Sequence, residues 1–237
     1  MTSVAVTGLG VDFAEFTLGP VDIQADEGIV AVLGPNGSGK TTLLRAMNGL
    51  VPSARGRVMV GRSDLMARSR SALRMCSYVP DGDEMLFPEL SVHEFWSFYS
   101  DIRHRSFGDD RVELLTRAYD LAERLSLDPG EVRMGEFSLG MRRKAQLITG
   151  LMTDPEVLLV DEPQNGLDFV SSHEVRLVLG EARDRGAVVL MSNHDLDSVA
   201  RVADSIVVLR EGEVVGRSDA RFASGDECEA FVAGYFA

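Results

Sequence analysis

Short apolar, β-branched runs punctuate this chain, and stretches of helical spacing lie between them. Ile29 to Leu33 is uninterrupted apolar sequence ending at Gly34, the pattern of a strand buried on both faces. A helix is expected directly after it, because Leu43, Leu44, Met47 and Leu50 recur at helical spacing, and Gly49 and Pro52 mark its stop. The same grammar returns later, with Val157 to Val160 and then a helix beyond Asp168, and with Ala187 to Met191 and then a helix from about Asp195. A last strand runs from Ser205 to Leu209, and Arg210-Glu211-Gly212-Glu213 turns it into Val214 and Val215 as a hairpin. Alternating strands and helices predict a mostly parallel sheet with helices on both faces.

Residues 82–153 break this rhythm, with helical periodicity and no convincing buried strand, and they read as an inserted helical lobe between two parts of a core, 1–81 and 154–237. Ser91 with Glu94 forms a capping-box pattern ahead of Phe95, Trp96 and Phe98. Val112, Leu115, Tyr119, Ala122 and Leu125 mark one apolar helix face, and the aromatic residues of this region are expected in the core.

Composition narrows the function classes. A chain of 237 residues, 45% hydrophobic, can bury a substantial core. Its net charge of -13 argues against nucleic-acid binding, which needs a concentrated basic surface, so any polyphosphate site must be local. Cys76 and Cys228 form no paired motif and fit buried thiols in a reducing compartment. His93, His104, His173 and His194 are scattered, and no zinc site is expected. The first ten residues lack the pattern of a secretory leader, and no apolar run approaches the roughly 20 residues that cross a bilayer. The chain is therefore expected to have no direct insertion in a membrane.

Candidate chemistry gathers where the apolar strands end. Gly34, Pro35, Asn36, Gly37, Ser38, Gly39, Lys40 and Thr41 match the phosphate-binding loop pattern, and they stand between a buried strand and a helix, as its mechanism demands. The glycines let backbone N–H groups turn toward phosphate oxygens, and the following helix, which opens with Thr41 and Thr42, adds the partial positive charge of its N-terminus. Lys40 is placed to reach the β and γ phosphates, and the Thr41 hydroxyl to meet Mg²⁺. The strand Val157 to Val160 then delivers Asp161 and Glu162 at its C-terminal end, where ligands sit in parallel sheets. Asp161 is the candidate for the Mg²⁺ shell and Glu162 the candidate for polarising the attacking water. His194 follows the next buried strand and emerges on the same sheet edge, where it could sense the γ-phosphate.

Together these residues resemble the nucleotide-binding subunits of ABC transporters, in that family's order and over nearly the whole chain. The resemblance places Lys40 in Walker A, Asp161 and Glu162 in Walker B, Asn165-Gly166-Leu167-Asp168 in the D-loop and His194 at the switch position. Phe137-Ser138-Leu139-Gly140-Met141 stands where the signature, usually LSGGQ, is found, with Ser138 and Gly140 retained. The fold it implies is α/β of the P-loop NTPase (RecA-like) type. A mostly parallel core would carry N-terminal antiparallel β strands and an inserted α-helical subdomain, with residues 1–237 forming one ATP-binding domain. ATP and Mg²⁺ are the implied ligands. The resemblance also implies that Ser138 meets the γ-phosphate of ATP held by a second subunit, with Gly140 and Asp168 further nucleotide-binding residues, so that a head-to-tail homodimer or heterodimer is the working unit.

The implied function is ATP hydrolysis powering movement through a separate integral membrane permease, with the chain cytoplasmic and peripheral on the inner face of the membrane. Two departures stand out. Tyr78-Val79-Pro80 is followed by Asp81 where the family usually has glutamine, so Asp81 is an expected but altered Mg²⁺ neighbour, and Gln164 replaces the common threonine or serine. Phe13 or Phe16 would stack on adenine, Phe13 fitting the spacing better. Met85-Leu86-Phe87-Pro88 could form part of a greasy groove for a partner's helix. The signature ending Gly-Met-Arg-Arg looks more like ABC-2-type exporters than importers. A soluble ABC ATPase acting in assembly is the alternative from another class, and a P-loop GTPase or kinase is disfavoured by the lack of an Asn-Lys-x-Asp motif.

Overall fold

The computed structural model describes residues 3–82, 86–219 and 221–236. Two sheets organise them. Strands β1 (Val4–Asp12), β2 (Thr17–Ala25), β4 (Arg55–Val60) and β5 (Ser63–Asp64) form an antiparallel sheet in the order β2-β1-β4-β5. Strands β3 (Gly28–Leu33), β6 (Cys76–Val79), β7 (Val157–Val160), β8 (Val188–Ser192), β9 (Ser205–Arg210) and β10 (Glu213–Ser218) form the second sheet, ordered β10-β9-β3-β8-β7-β6. Its five strands from β9 to β6 run parallel, and β10 returns antiparallel to β9 as the expected hairpin.

The parallel strands are apolar on both faces because two cores share them. Ile29, Ala31 and Leu33 of β3 point into one core with Leu158 and Val160 of β7. Val30 and Val32 point into the other with Leu159, Leu190 and the inner face of β1 and β2. Helix α1 (Lys40–Met47) lies in this second core through Leu43, Leu44 and Met47, and α2 (Arg70–Met75) joins it through Ala72. The expectation of helices on both faces is thus met on one face by few helices, since the antiparallel sheet takes much of that side. Helices α6 (Phe169–Asp184), α7 (Leu196–Val202) and α8 (Gly225–Ala233) line the first core.

Between β6 and β7, which pair directly, the chain runs through α3 (Val92–Phe107), α4 (Arg111–Arg124) and α5 (Leu139–Leu151). The capping box forms as the sequence suggests: Ser91 Oγ accepts from the Glu94 N–H at 3.2 Å, and Glu94 Oε2 accepts from the Ser91 N–H at 2.8 Å. Trp96 is fully buried, and its indole N–H donates to Thr149 Oγ1 of α5 at 3.1 Å. Two expectations need correction. The buried face of α4 is Leu114, Ala118, Leu121, Ala122 and the following Leu125, with Leu115 partly buried against the same core, while Val112 is 74% exposed in the first turn. Tyr119 sits at the rim, its ring edge-on to Trp96 and its hydroxyl against His93 Nδ1, as suits a side chain with an apolar body and a polar tip. Phe98 is also outside the core at 49% exposure, on the outer side of α3, where it meets Phe87 edge-on. Among the described residues no helix is long and apolar enough to cross a membrane.

Candidate functional site

The C-terminal ends of β3, β6, β7 and β8 share one sheet edge, and every strand-end residue singled out by the sequence lies there. The loop after β3 holds a conformation that glycine permits: Gly34, Gly37 and Gly39 have φ of 154°, 80° and 103°. A β-carbon on Gly34 would stand 2.1 Å from the Leu209 carbonyl oxygen, and one on Gly39 would stand 2.7 Å from the Phe16 ring. Pro35, Asn36 and Gly37 form the exposed crest, whereas Ser38 and Lys40 are buried. The Lys40 ammonium donates to the carbonyls of Gly34 and Pro35 at 2.9 and 3.2 Å, so it lies inside the loop it serves. Helix α1 starts at Gly39 with no side-chain cap, which leaves its first N–H groups, near Thr41 and Thr42, directed at the space above the loop.

This loop is pinned from outside. Gly212, at the β9–β10 turn, donates its N–H to the Ser38 carbonyl at 3.0 Å and accepts from the Gly19 N–H at 2.7 Å. Only glycine fits there, since a β-carbon on Gly212 would lie 1.9 Å from the Thr17 carbonyl oxygen.

The two acids after β7 are held by one residue of β8 that sequence reasoning did not single out. Ser192 Oγ accepts from the Glu162 N–H at 2.8 Å and donates to Asp161 Oδ1. Asp161 is buried, and its second oxygen, Oδ2, has no hydrogen-bond partner among the described residues. A buried carboxylate oxygen without a donor fits a cation ligand, and the Thr41 hydroxyl in the first turn of α1 is an oxygen of the kind Mg²⁺ takes. Glu162 has a positive φ of 47°, unusual for a residue with a β-carbon, and its Oε2 meets His194 Nδ1 at 2.8 Å. With the carboxylate ionised, Nδ1–H is the donor, which leaves Oε1 for another partner.

Asp81 follows β6, next to these acids, and its Oδ1 accepts from the Asn165 side-chain amide at 3.0 Å. Its carboxylate is therefore tied to the segment after Glu162. Gln164 is a further hub: Oε1 accepts from Ser198 Oγ and from Asn193 Nδ2 at 3.4 Å, and Nε2 donates to the Ser172 carbonyl at 3.3 Å. From α5, Arg143 and Gln146 reach into the same region, Arg143 to the carbonyls of Pro80, Asp161 and Glu162 and Gln146 to that of Gly82. Arg143 closes the Gly-Met-Arg-Arg stretch of the sequence, but no contact role was read for it, and Gln146 was marked only by its place next to buried Leu147 and Ile148.

Ser138 caps α5, accepting from the Met141 N–H at 3.2 Å, and Gly140 packs against Leu167. Ser138, Gly140, Lys144, Leu167 and Asp168 line an open cleft of about 430 Å³ that contains no residue of the Lys40 loop. Asp168 caps α6, its Oδ1 accepting from the Ser171 N–H at 2.7 Å, and those Ser171 contacts hold its carboxyl below the usual aspartate range. Within one chain the structure thus separates Ser138, Gly140 and Asp168 from the phosphate loop. Leu139 in the cleft lining is exposed, as are Phe169 and Val170, which follow Asp168 in the chain. Phe13 and Phe16 stack at 6.4 Å; Phe16 covers Gly39, and Phe13 is the more exposed ring. Of the candidate greasy groove, Met85 lies outside the described residues, while Phe87 is half-exposed against Phe95 and Phe98.

A glycine-rich loop between a buried parallel strand and a helix, with paired acids two strands away on the same edge, defines the P-loop NTPase class. Residues 20–165 match the family described as ABC transporter. The chain is 30% identical over 199 residues to the ABC transporter ATP-binding protein NatA of Bacillus subtilis, covering 83% of this chain and 79% of that protein. It is 34% identical over 203 residues to the sulfate/thiosulfate import ATP-binding protein CysA of Mesorhizobium japonicum, covering 84% of this chain and only 58% of that one. A solved structure of the ATP-binding subunit of an ABC transporter superposes with a TM-score of 0.81 at 25% identity, covering 97% of this chain and 99% of that chain. The chain belongs to the ABC transporter family, as an ATP-binding, ATP-hydrolysing subunit.

Proposed function

We propose that this chain cleaves Mg²⁺-bound ATP between the Gly34–Thr42 loop and Glu162, and that closure of two such subunits around ATP drives a separate membrane permease. The observation that carries this reading is the shared grip of Ser192 on Asp161 and Glu162, which fixes two acids for two tasks on the edge where the phosphate loop opens. Backbone N–H groups of the loop and the start of α1 would cradle the phosphates, with Lys40 turning from its loop carbonyls to the β and γ oxygens. Thr41 and Asp161 would hold Mg²⁺, which offsets phosphate charge when bound, and Asp81 would sit beside that site while tied to Asn165. Phe13 would stack on the adenine.

Hydrolysis then needs one water. Glu162 Oε1 takes a proton from it, the oxygen attacks the γ-phosphorus, and the bond to the bridging oxygen breaks to release ADP and phosphate. His194 holds Oε2, so the carboxylate presents its other oxygen. Ser138, Gly140 and Asp168 would complete the site of a second subunit, homologous or identical, in head-to-tail fashion, which excludes water from the reacting phosphate. That arrangement divides the chain into a core of residues 1–81 with 154–237 and a signature lobe of 82–153. It would work on the cytoplasmic face of the membrane, held there by the permease, which selects the transported compound.

Glu162→Gln should retain ATP binding, lose turnover by about 10²-fold or more, and accumulate an ATP-bound dimer, whereas Lys40→Ala should lose nucleotide affinity. Parent-like turnover in Glu162→Gln would remove Glu162 from the reaction.

A further inference from the structure

We propose that Arg143 is a positioning residue that fixes the main chain carrying Glu162 and couples the stance of the signature helix to that carboxylate. The inference rests on the reading of Glu162 as the catalytic base. Arg143 is 2% exposed, and its guanidinium forks across two strand ends. One terminal nitrogen donates to the Pro80 carbonyl after β6 and, at 3.4 Å, to Gln146 Oε1; the other donates to the Asp161 carbonyl and, at 2.7 Å, to the Glu162 carbonyl after β7.

Glu162 is thereby held at both of its peptide groups. Its N–H is taken by Ser192, and its carbonyl by Arg143 and the Asn165 N–H. A left-handed backbone at a residue with a β-carbon persists only where its surroundings over-determine it, and those bonds are the determinants. A planar fork is suited to this task, since it meets several oxygens in fixed directions as an ammonium cannot.

Burying the guanidinium opposes its charge and pulls its pKa down, while the nearby Asp81, Asp161 and Glu162 push it back up. The acid at position 81 thus belongs to the charge environment that keeps the clamp in place. Arg143 and Ser138 belong to one rigid element, Ser138 as the cap of α5 and Arg143 within it. A tilt of α5 driven from the Ser138 end would therefore pull on the Glu162 peptide. Gln146, on the same helix, adds a second hold at Gly82.

The test compares Arg143→Gln, Glu162→Gln and the double variant of the full chain, reading steady-state hydrolysis of Mg²⁺-ATP alongside nucleotide affinity. Arg143→Gln should lower kcat by about 30-fold or more, the scale of a small displacement of a reacting group, while KM moves by less than about 3-fold. The double variant should be no slower than Glu162→Gln alone, because Arg143 acts through that carboxylate. Arg143→Lys, which keeps a donor and loses the fork, should fall between parent and Arg143→Gln; it carries the same comparison should Arg143→Gln not fold. Parent-like kcat in the Arg143 variants, or losses that multiply in the double variant, would overturn the assignment. Parent-like turnover in Glu162→Gln would instead fail the underlying reading of the base, and the clamp with it.

Discussion

A single hydroxyl on β8 bonds the Asp161 carboxylate and the Glu162 N–H just after β7, and a guanidinium on α5 takes the carbonyls of the same two residues. Arg143 stands in the Gly-Met-Arg-Arg stretch, but neither its hold on Asp161 and Glu162 nor that of Ser192 could be read locally, because those partners lie at least 18 positions away in sequence. The acids themselves were legible, since a short apolar strand ending in two carboxylates beside a phosphate loop has few other uses. Asp81 was legible as a departure, but its partner Asn165 was not, because that contact depends on how β6 and β7 pair. Burial also makes one residue inert: it pushes the Cys76 thiol up to about 12, leaving almost no thiolate near neutral pH. Cys76 should therefore resist iodoacetamide in the native chain at pH 8 and react once denaturant is added. Native labelling as fast as in the denatured chain, followed by peptide mass mapping, would contradict that burial.

At the level of elements, strands were read better than helix faces. Val157–Val160 stands where its apolar run ends, and β3, β8 and β9 fall within one residue of the runs that announced them at each end. The expected face of α4 is met at Leu115, Ala122 and Leu125, which reach the core, but it missed Leu114, Ala118 and Leu121 and failed at exposed Val112, because adjacent apolar residues such as Leu114 and Leu115 leave the centre of the face to be decided by packing. The antiparallel strands β1 and β2 were expected only through the resemblance, and β4, β5 and β6 escaped notice, β4 being broken in pattern by exposed arginines and β6 by Ser77 within its four residues. Helix α3 depends on its reciprocal cap, in which two orphan N–H groups find side-chain acceptors. Ser91→Ala should destabilise the chain by about 1 kcal/mol, visible as a lower urea midpoint with unchanged slope. An unshifted midpoint would mean that the buried Trp96 and Phe95 anchor the helix without its cap.

For the molecule as a whole, the charge of -13 sets a long-range term that any pairing of two copies must overcome. In Glu162→Gln with ATP, the dimer fraction measured by sedimentation velocity should rise as salt goes from about 0.01 to about 0.15 M, where the screening length falls from about 30 to about 8 Å. A falling fraction would show that attractive ion pairs across the contact outweigh the net repulsion. Size has a second effect, in that distant segments meet at one place. The tip of the β9–β10 hairpin bonds both to Ser38 and to Gly19, with its flank pressed on Thr17. Hairpin tips are ordinarily where a protein accepts extra residues, tags or a new junction at little expense. Here the tip is a keystone between β2 and the phosphate loop, so lengthening it would loosen the grip on phosphate while leaving every residue of that loop in the sequence.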